Sequence, residues 1–176
     1  MIKPFFVFTL IFFSSCSNIN PKYEYLEKDD SFRKKITTGD FVELSHGFTY
    51  FETNNINNDE IAVFIHGFSV PSYIWDETYY ESIERGLGAI RLDLYGRGNS
   101  SNPDTIYNDL LYANQVIELL DHLNIMEKVS LIGLSNGGRV ISTIANLFPE
   151  RVKRLVYVAP GGFHDNKTEP DKRPVL

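Results

Sequence analysis

At 176 residues, with 43% hydrophobic and 14% aromatic side chains, the chain carries enough apolar surface for one buried core. A formal net charge of −6 argues against nucleic acid as a partner, because phosphate backbones reward basic faces. One cysteine excludes an internal disulfide, and no His/Cys/Asp cluster has ligand spacing, so neither a metal nor a cofactor is expected.

The chain opens with a short positive start, Met1-Ile2-Lys3, followed over residues 5–13 by apolar side chains and one threonine, and then by Ser14-Ser15-Cys16. This is the order of a secretory signal peptide, here residues 1–15. The apolar run is too short to cross a membrane as a helix, which takes about 20 residues. Small residues directly before a lone cysteine resemble the lipobox of bacterial lipoproteins, although Phe13 and Ser15 stand where leucine and glycine or alanine are commoner. The resemblance implies that Cys16 is acylated after export across the inner membrane and tethers the mature protein to a membrane. An ordinary secretory cut or an uncleaved anchor is the alternative. Residues 16–39 read as a polar tether, with Pro21, the cluster Glu27-Lys28-Asp29-Asp30 and a short helix around residues 23–32.

Residues 41–45 and 48–52 alternate as two strands of a hairpin around His46-Gly47. Residues 53–59 are a turn-rich break. From Glu60 the pattern changes to continuous apolar strands alternating with amphipathic helices. Strand 61–65 leads to His66-Gly67-Phe68, and a helix over 74–85 places Trp75, Tyr79 and Ile83 inward. Strand 89–92 leads to Asp93-Leu94-Tyr95-Gly96-Arg97-Gly98-Asn99-Ser100. A helix over 107–123 repeats Leu110, Ala113, Ile117 and Leu120 at helical spacing. A strand from Val129, a helix over 137–148 and a strand over 152–159 complete the series. Such alternation predicts a mostly parallel sheet with helices on both faces.

Between the Val129 strand and its helix lies Gly133-Leu134-Ser135-Asn136-Gly137, followed by Gly138. A serine at the tip of a sharp strand-to-helix turn needs glycine-sized residues two before and two after it, where the chain crowds itself. The pattern marks Ser135 as a nucleophile with the positive end of a helix beneath it. A tight glycine turn with an incidental serine is the bland alternative.

Together these residues resemble an α/β-hydrolase fold over its first six strands, from about Phe41 to Ala159. Three motifs fall in the family's order: His66-Gly67-Phe68 after the third strand, Asp93-x-x-Gly96-x-Gly98-x-Ser100 after the fourth, and the Ser135 elbow after the fifth. The resemblance makes residues 40–176 one domain. It implies an oxyanion hole from the backbone N–H groups of Phe68 and Asn136. It also implies structural roles in the loops for His66, Gly67, Asp93, Gly133, Gly137 and Gly138, with His66 not serving as the base.

The family's order of serine, then acid, then histidine leaves little after Ser135. Glu150 stands at the far end of the elbow helix, about 20 Å away at 1.5 Å per residue. His164 follows the sixth strand on the correct edge and is the fallback base. Over residues 161–176 the relatives' chain enters a cap. The acid and histidine are therefore expected beyond Leu176, and strand 152–159, left as an edge, is expected to be prone to aggregation. The implied function is a membrane-tethered serine hydrolase acting on a small-molecule ester or lipid. Thioester or C–C bond hydrolysis is an alternative chemistry, and a non-catalytic binding lipoprotein or degenerate hydrolase is the alternative class.

Overall fold

The structure, a computed structural model, describes residues 28–162. The signal peptide, Cys16 and most of the tether lie outside those residues, as does His164. The first described element is a single turn, α1 (Asp30–Arg33), capped by the Asp29 carboxylate, which accepts from the Phe32 N–H at 2.8 Å. Six strands follow: β1 (Asp40–Leu44), β2 (Gly47–Asn54), β3 (Ile61–Ile65), β4 (Gly88–Leu92), β5 (Val129–Leu134) and β6 (Val152–Val158). The helices between them are α2 (Asp76–Glu84), α3 (Asp109–His122) and α4 (Asn136–Leu147).

The strands form one sheet in the order β1-β2-β4-β3-β5-β6. The hairpin β1–β2 joins β4 antiparallel, and β4, β3, β5 and β6 run parallel. The expected α/β-hydrolase architecture therefore holds. Because β3 to β6 are parallel, their C-terminal ends share one edge, and the loops after β3, β4 and β5 meet there. Ligands of open α/β sheets bind at this edge.

β3 lies at the centre, and all five of its residues are buried. Successive strand side chains point to opposite faces, and its residues divide accordingly. Ile61, Val63 and Ile65 join the larger core with Val116, Leu120 and Ile141 of α3 and α4. Ala62 and Phe64 join a smaller cluster with Trp75 and Tyr79 on the α2 side. Two details depart from the sequence reading. The helix expected from residue 74 begins as a 3-10 turn over Ser72–Trp75, and only then becomes α2. Leu110 is half exposed, because the buried face of α3 is centred on Tyr112, Val116 and Leu119, and Leu110 falls on the other side with Asn114, Glu118 and Asp121.

On the α2 side the sheet also holds a charge. Arg91 lies on β4 opposite Glu52 of β2, and its guanidinium donates to both Glu52 oxygens, at 2.8 and 2.9 Å. Asp76 takes its other end, and the rings of Tyr79 and Tyr80 flank it. Breaking a buried pair leaves an uncompensated charge. Arg91→Ala is therefore expected to cost about 3–5 kcal/mol of unfolding free energy, while Asp76→Asn, at the half-exposed end, costs under about 1 kcal/mol. Urea denaturation of the two variants checks this ordering, and equal losses would contradict it.

Among the described residues β6 is a sheet edge. Val156 and Val158 are exposed and line a groove of about 450 Å³ with Phe64, Trp75 and Ile132. Among those residues, too, no helix is long and apolar enough to cross a membrane.

Candidate active site

β5 ends and α4 begins within one residue, and that residue is Ser135. Its backbone has φ 51° and ψ −113°, a conformation that L-residues avoid and that costs about 1–3 kcal/mol. Three backbone hydrogen bonds hold it there. The Ser135 N–H donates to the Val158 carbonyl at 3.0 Å, and the Ser135 carbonyl accepts from the N–H groups of Gly138 and Gly161, each at 3.0 Å. The strand, the helix and the chain leaving β6 thus converge on one strained residue.

The glycines around it are explained by space. A Cβ on Gly133 would stand 2.5 Å from the Gly137 carbonyl oxygen, and one on Gly137 would stand 2.3 Å from that of Ile65. The close approach lets α4 start directly against β3. A Cβ on Gly138 would meet the Pro160 ring at 2.9 Å. On the opposite side, a Cβ on Gly67 would lie 3.2 Å from Ser135 Cβ and 3.8 Å from its Oγ. The loop after β3 therefore passes beside the serine hydroxyl.

His66 anchors that loop and is fully buried. Its Nε2 accepts the Leu94 N–H at 2.9 Å, so the ring proton sits on Nδ1, which donates to the Gly67 carbonyl at 2.6 Å. Both nitrogens are engaged, and neither faces Ser135. Burial holds the imidazole pKa below its usual 6.5, and a protonated Nε2 would oppose the Leu94 N–H. As pH falls below about 6.5, the unfolded chain takes up a proton that the folded chain refuses, so stability falls with pH in that window. The slope contributed is at most about 1.4 kcal/mol per pH unit. Urea midpoints of wild type and His66→Gln should converge as pH falls below 6.5, and parallel pH profiles would contradict this.

Asp93 fixes the second loop. Its Oδ1 accepts from the Ser72 N–H at 2.8 Å and its Oδ2 from the Asn99 N–H at 2.7 Å, which ties the loop after β3 to the loop after β4. Its backbone carbonyl receives the Ser100 hydroxyl at 2.6 Å and the Gln115 amide at 3.0 Å. Gly98 has no room for a side chain, since a Cβ there would fall 2.0 Å from Asp93 Oδ2.

The N–H groups of Phe68 and Asn136 donate to no other described residue; Asn136 directly follows Ser135, and Phe68 follows Gly67, where a Cβ would lie 3.2 Å from Ser135 Cβ. The residue is held on its far side: Arg97 Nε donates to the Phe68 carbonyl, in the peptide that follows, at 2.5 Å, and the guanidinium lies 4.3 Å from the Phe68 ring centroid. Arg97 was not legible as a site residue, because only its place between Gly96 and Gly98 hinted at a role. Arg139 of α4 forms a two-pronged contact with Asp109 of α3 at 2.7 and 3.0 Å, tying the first turns of the two helices together. Of the other histidines, His46 stands at the β1–β2 turn against Tyr95, three strand spacings or about 14 Å across the sheet from β5. His122 ends α3 at the opposite edge. Among the described residues no three His, Cys, Asp or Glu side chains converge as a metal site.

A serine in left-handed strain between a buried parallel strand and a glycine-packed helix defines a class built on the nucleophile-elbow plan. The chain belongs to the alpha/beta hydrolase fold family, whose pattern it matches over residues 63–174. It is 31% identical over 152 residues to a putative methylesterase 11, chloroplastic, of Arabidopsis thaliana, covering 82% of this chain and 36% of the relative. It is 33% identical over 123 residues to a cis-3-alkyl-4-alkyloxetan-2-one decarboxylase of Shewanella oneidensis, covering 66% and 37%. Among solved structures it resembles one from the carboxylesterases of Nitrososphaera gargenis, with a TM-score of 0.65 and 26% identity over 69% of this chain and 46% of that one. The chain thus spans little more than a third of these curated relatives and under half of that solved structure.

Proposed function

We propose that this domain carries the nucleophile half of a serine hydrolase acting on a carboxylic ester or lipid. Ser135 attacks the carbonyl carbon, and the N–H groups of Phe68 and Asn136 receive the oxyanion. The positive end of α4 favours the developing charge. The observation that carries this reading is the φ of 51° at Ser135, a strain that an incidental serine would not need.

The base and its acid partner come from sequence beyond Gly162. His66 is occupied, and His46 and His122 are remote. His164, two residues past Gly162, is the fallback base. A Cβ on Gly161 would lie 3.7 Å from Ser135 Oγ, so the chain leaves β6 beside the nucleophile. The Cys16 sequence supports a lipid-anchored protein at a bacterial membrane.

The full-length protein should turn over p-nitrophenyl esters at about 1 per second or faster. Arg97→Ala loosens the backbone just after the Phe68 N–H and should lower kcat about 10-fold or more, toward the 10²–10³ of a lost oxyanion donor, with KM within about twofold. Full activity in Arg97→Ala would show that Phe68 keeps its place without the Arg97 contact. Absence of ester turnover in the full-length protein would favour a binding role.

A further inference from the structure

We propose that Gln115 of α3 is a positioning residue for the oxyanion hole, holding the Phe68 N–H in place through two peptide groups and the His66 ring. The inference rests on the hydrolase reading above and extends it into the core of the domain.

Gln115 is out of pattern where it stands. Leu111 and Leu119, one helical turn to either side, are buried and apolar, and Gln115 is itself 1% exposed. A carboxamide in such a place lowers stability unless its polar atoms find partners. It finds three. Its Oε1 accepts from the Tyr95 N–H at 3.0 Å, and its Nε2 donates to the Asp93 carbonyl at 3.0 Å and to Thr49 Oγ1 at 2.9 Å. The Tyr95 N–H and the Asp93 carbonyl fix which end of the amide is oxygen. They also belong to the two peptide groups on either side of Leu94. One side chain therefore grips Leu94 as a neighbouring strand would, taking the carbonyl before it and the N–H after it.

The grip reaches the site through the Asp93–Leu94 peptide. Gln115 holds its carbonyl, together with the Ser100 hydroxyl at 2.6 Å, and His66 Nε2 holds its N–H at 2.9 Å. That N–H keeps the ring proton on Nδ1, which donates to the Gly67 carbonyl at 2.6 Å. The Gly67 carbonyl and the Phe68 N–H are two ends of one peptide, and in a trans peptide they point in opposite directions. Holding the carbonyl toward His66 thus turns the Phe68 N–H away from it. Were the Leu94 N–H to swing aside, His66 could carry its proton on either nitrogen. The Nε2–H form would set a lone pair against the Gly67 carbonyl, and the Phe68 N–H would lose its bearing. Thr49, His66 and Asp93 are as buried as Gln115, so none of these contacts depends on what lies over the mouth of the site.

The test compares Gln115→Met with Thr49→Val in the full-length protein. Methionine keeps the length of the side chain and loses all three bonds. Valine removes only the bond between α3 and β2, leaving the grip on Leu94. Gln115→Met should lower kcat on p-nitrophenyl esters about 10- to 100-fold, as when a group is misplaced by about 1 Å, with KM within about twofold. In 15N NMR of histidine-labelled protein, the His66 ring, identified by its loss in His66→Gln, should pass from one tautomer to a mixture. Thr49→Val should match wild type in both readouts, whatever its urea midpoint. An equal kcat loss in Thr49→Val would overturn the proposal, as would an unchanged kcat or an unchanged His66 ring in Gln115→Met. Should Gln115→Met fail to fold, Gln115→Asn, whose amide stops one methylene short, takes its place under the same criteria. The ring signal needs no substrate and so separates the two readings. A shifted ring, where wild type turns over no ester, keeps the hold of Gln115 on His66 and removes the hydrolase reading. Ester turnover with an unshifted ring does the reverse.

Discussion

Ser135→Ala should abolish ester hydrolysis by the full-length enzyme, lowering kcat about 10⁶-fold, the loss seen when a triad serine is removed. The fold should tolerate the change, because the three backbone hydrogen bonds at this position involve no side-chain atom. Ser135→Gly separates the two roles further. Glycine adopts a φ of 51° without steric cost, so this variant should be as inactive as the alanine variant, yet about 1 kcal/mol or more stabler than wild type. Urea denaturation beside a kinetic assay reads both quantities. A glycine variant less stable than wild type would mean that the turn stores no strain relieved by losing the side chain.

A large expected effect on stability lies two residues later. Gly137→Ala would put a methyl group 2.3 Å from the Ile65 carbonyl oxygen and 2.8 Å from that of His66. Both atoms belong to the backbone at the end of β3, so no side chain can rotate away. α4 would have to lift from the central strand, uncovering Val140, Ile141 and Ile144 from the core. The cost should reach about 3 kcal/mol, the upper end of overpacking in a core, and insoluble expression is the practical form it would take. Gly161→Ala is the control. Its nearest neighbours would be at 3.7 Å, an ordinary contact, so its unfolding midpoint should stay close to that of wild type. Equal behaviour of the two variants would contradict the spatial argument.

What the sequence made legible follows from how local each signal is. The six strands and the elbow could be placed because β3 is a continuous apolar run and because Gly133 and Gly137 bracket Ser135 at fixed spacing. The loop after β4 was legible for the same reason, since Gly98 and Ser100 stand at set distances from Asp93. The supports that come from far along the chain were not legible. Arg97 reaches back 29 residues to hold Phe68, and Gln115 reaches across 66 to bond Thr49. Arg91 was visible only as a charge inside an apolar strand, and nothing local named Glu52 as its partner. Leu110 matched the helical period and still lies in water, because the buried face of α3 is centred on Tyr112, Val116 and Leu119 rather than on the row of Leu110, Ala113, Ile117 and Leu120. Of the residues outside 28–162, Cys16 and His164 rest on the sequence reading alone.

The central claim is that Ser135 is a nucleophile activated by the surrounding fold. It is tested most directly by treating the full-length protein with a fluorophosphonate probe and locating the adduct by peptide mass spectrometry. The expected result is one phosphonate, on the peptide containing Ser135, with labelling lost in Ser135→Ala and slowed in Arg97→Ala. Unchanged labelling of the Ser135→Ala protein, or an adduct on any other residue, would contradict the account.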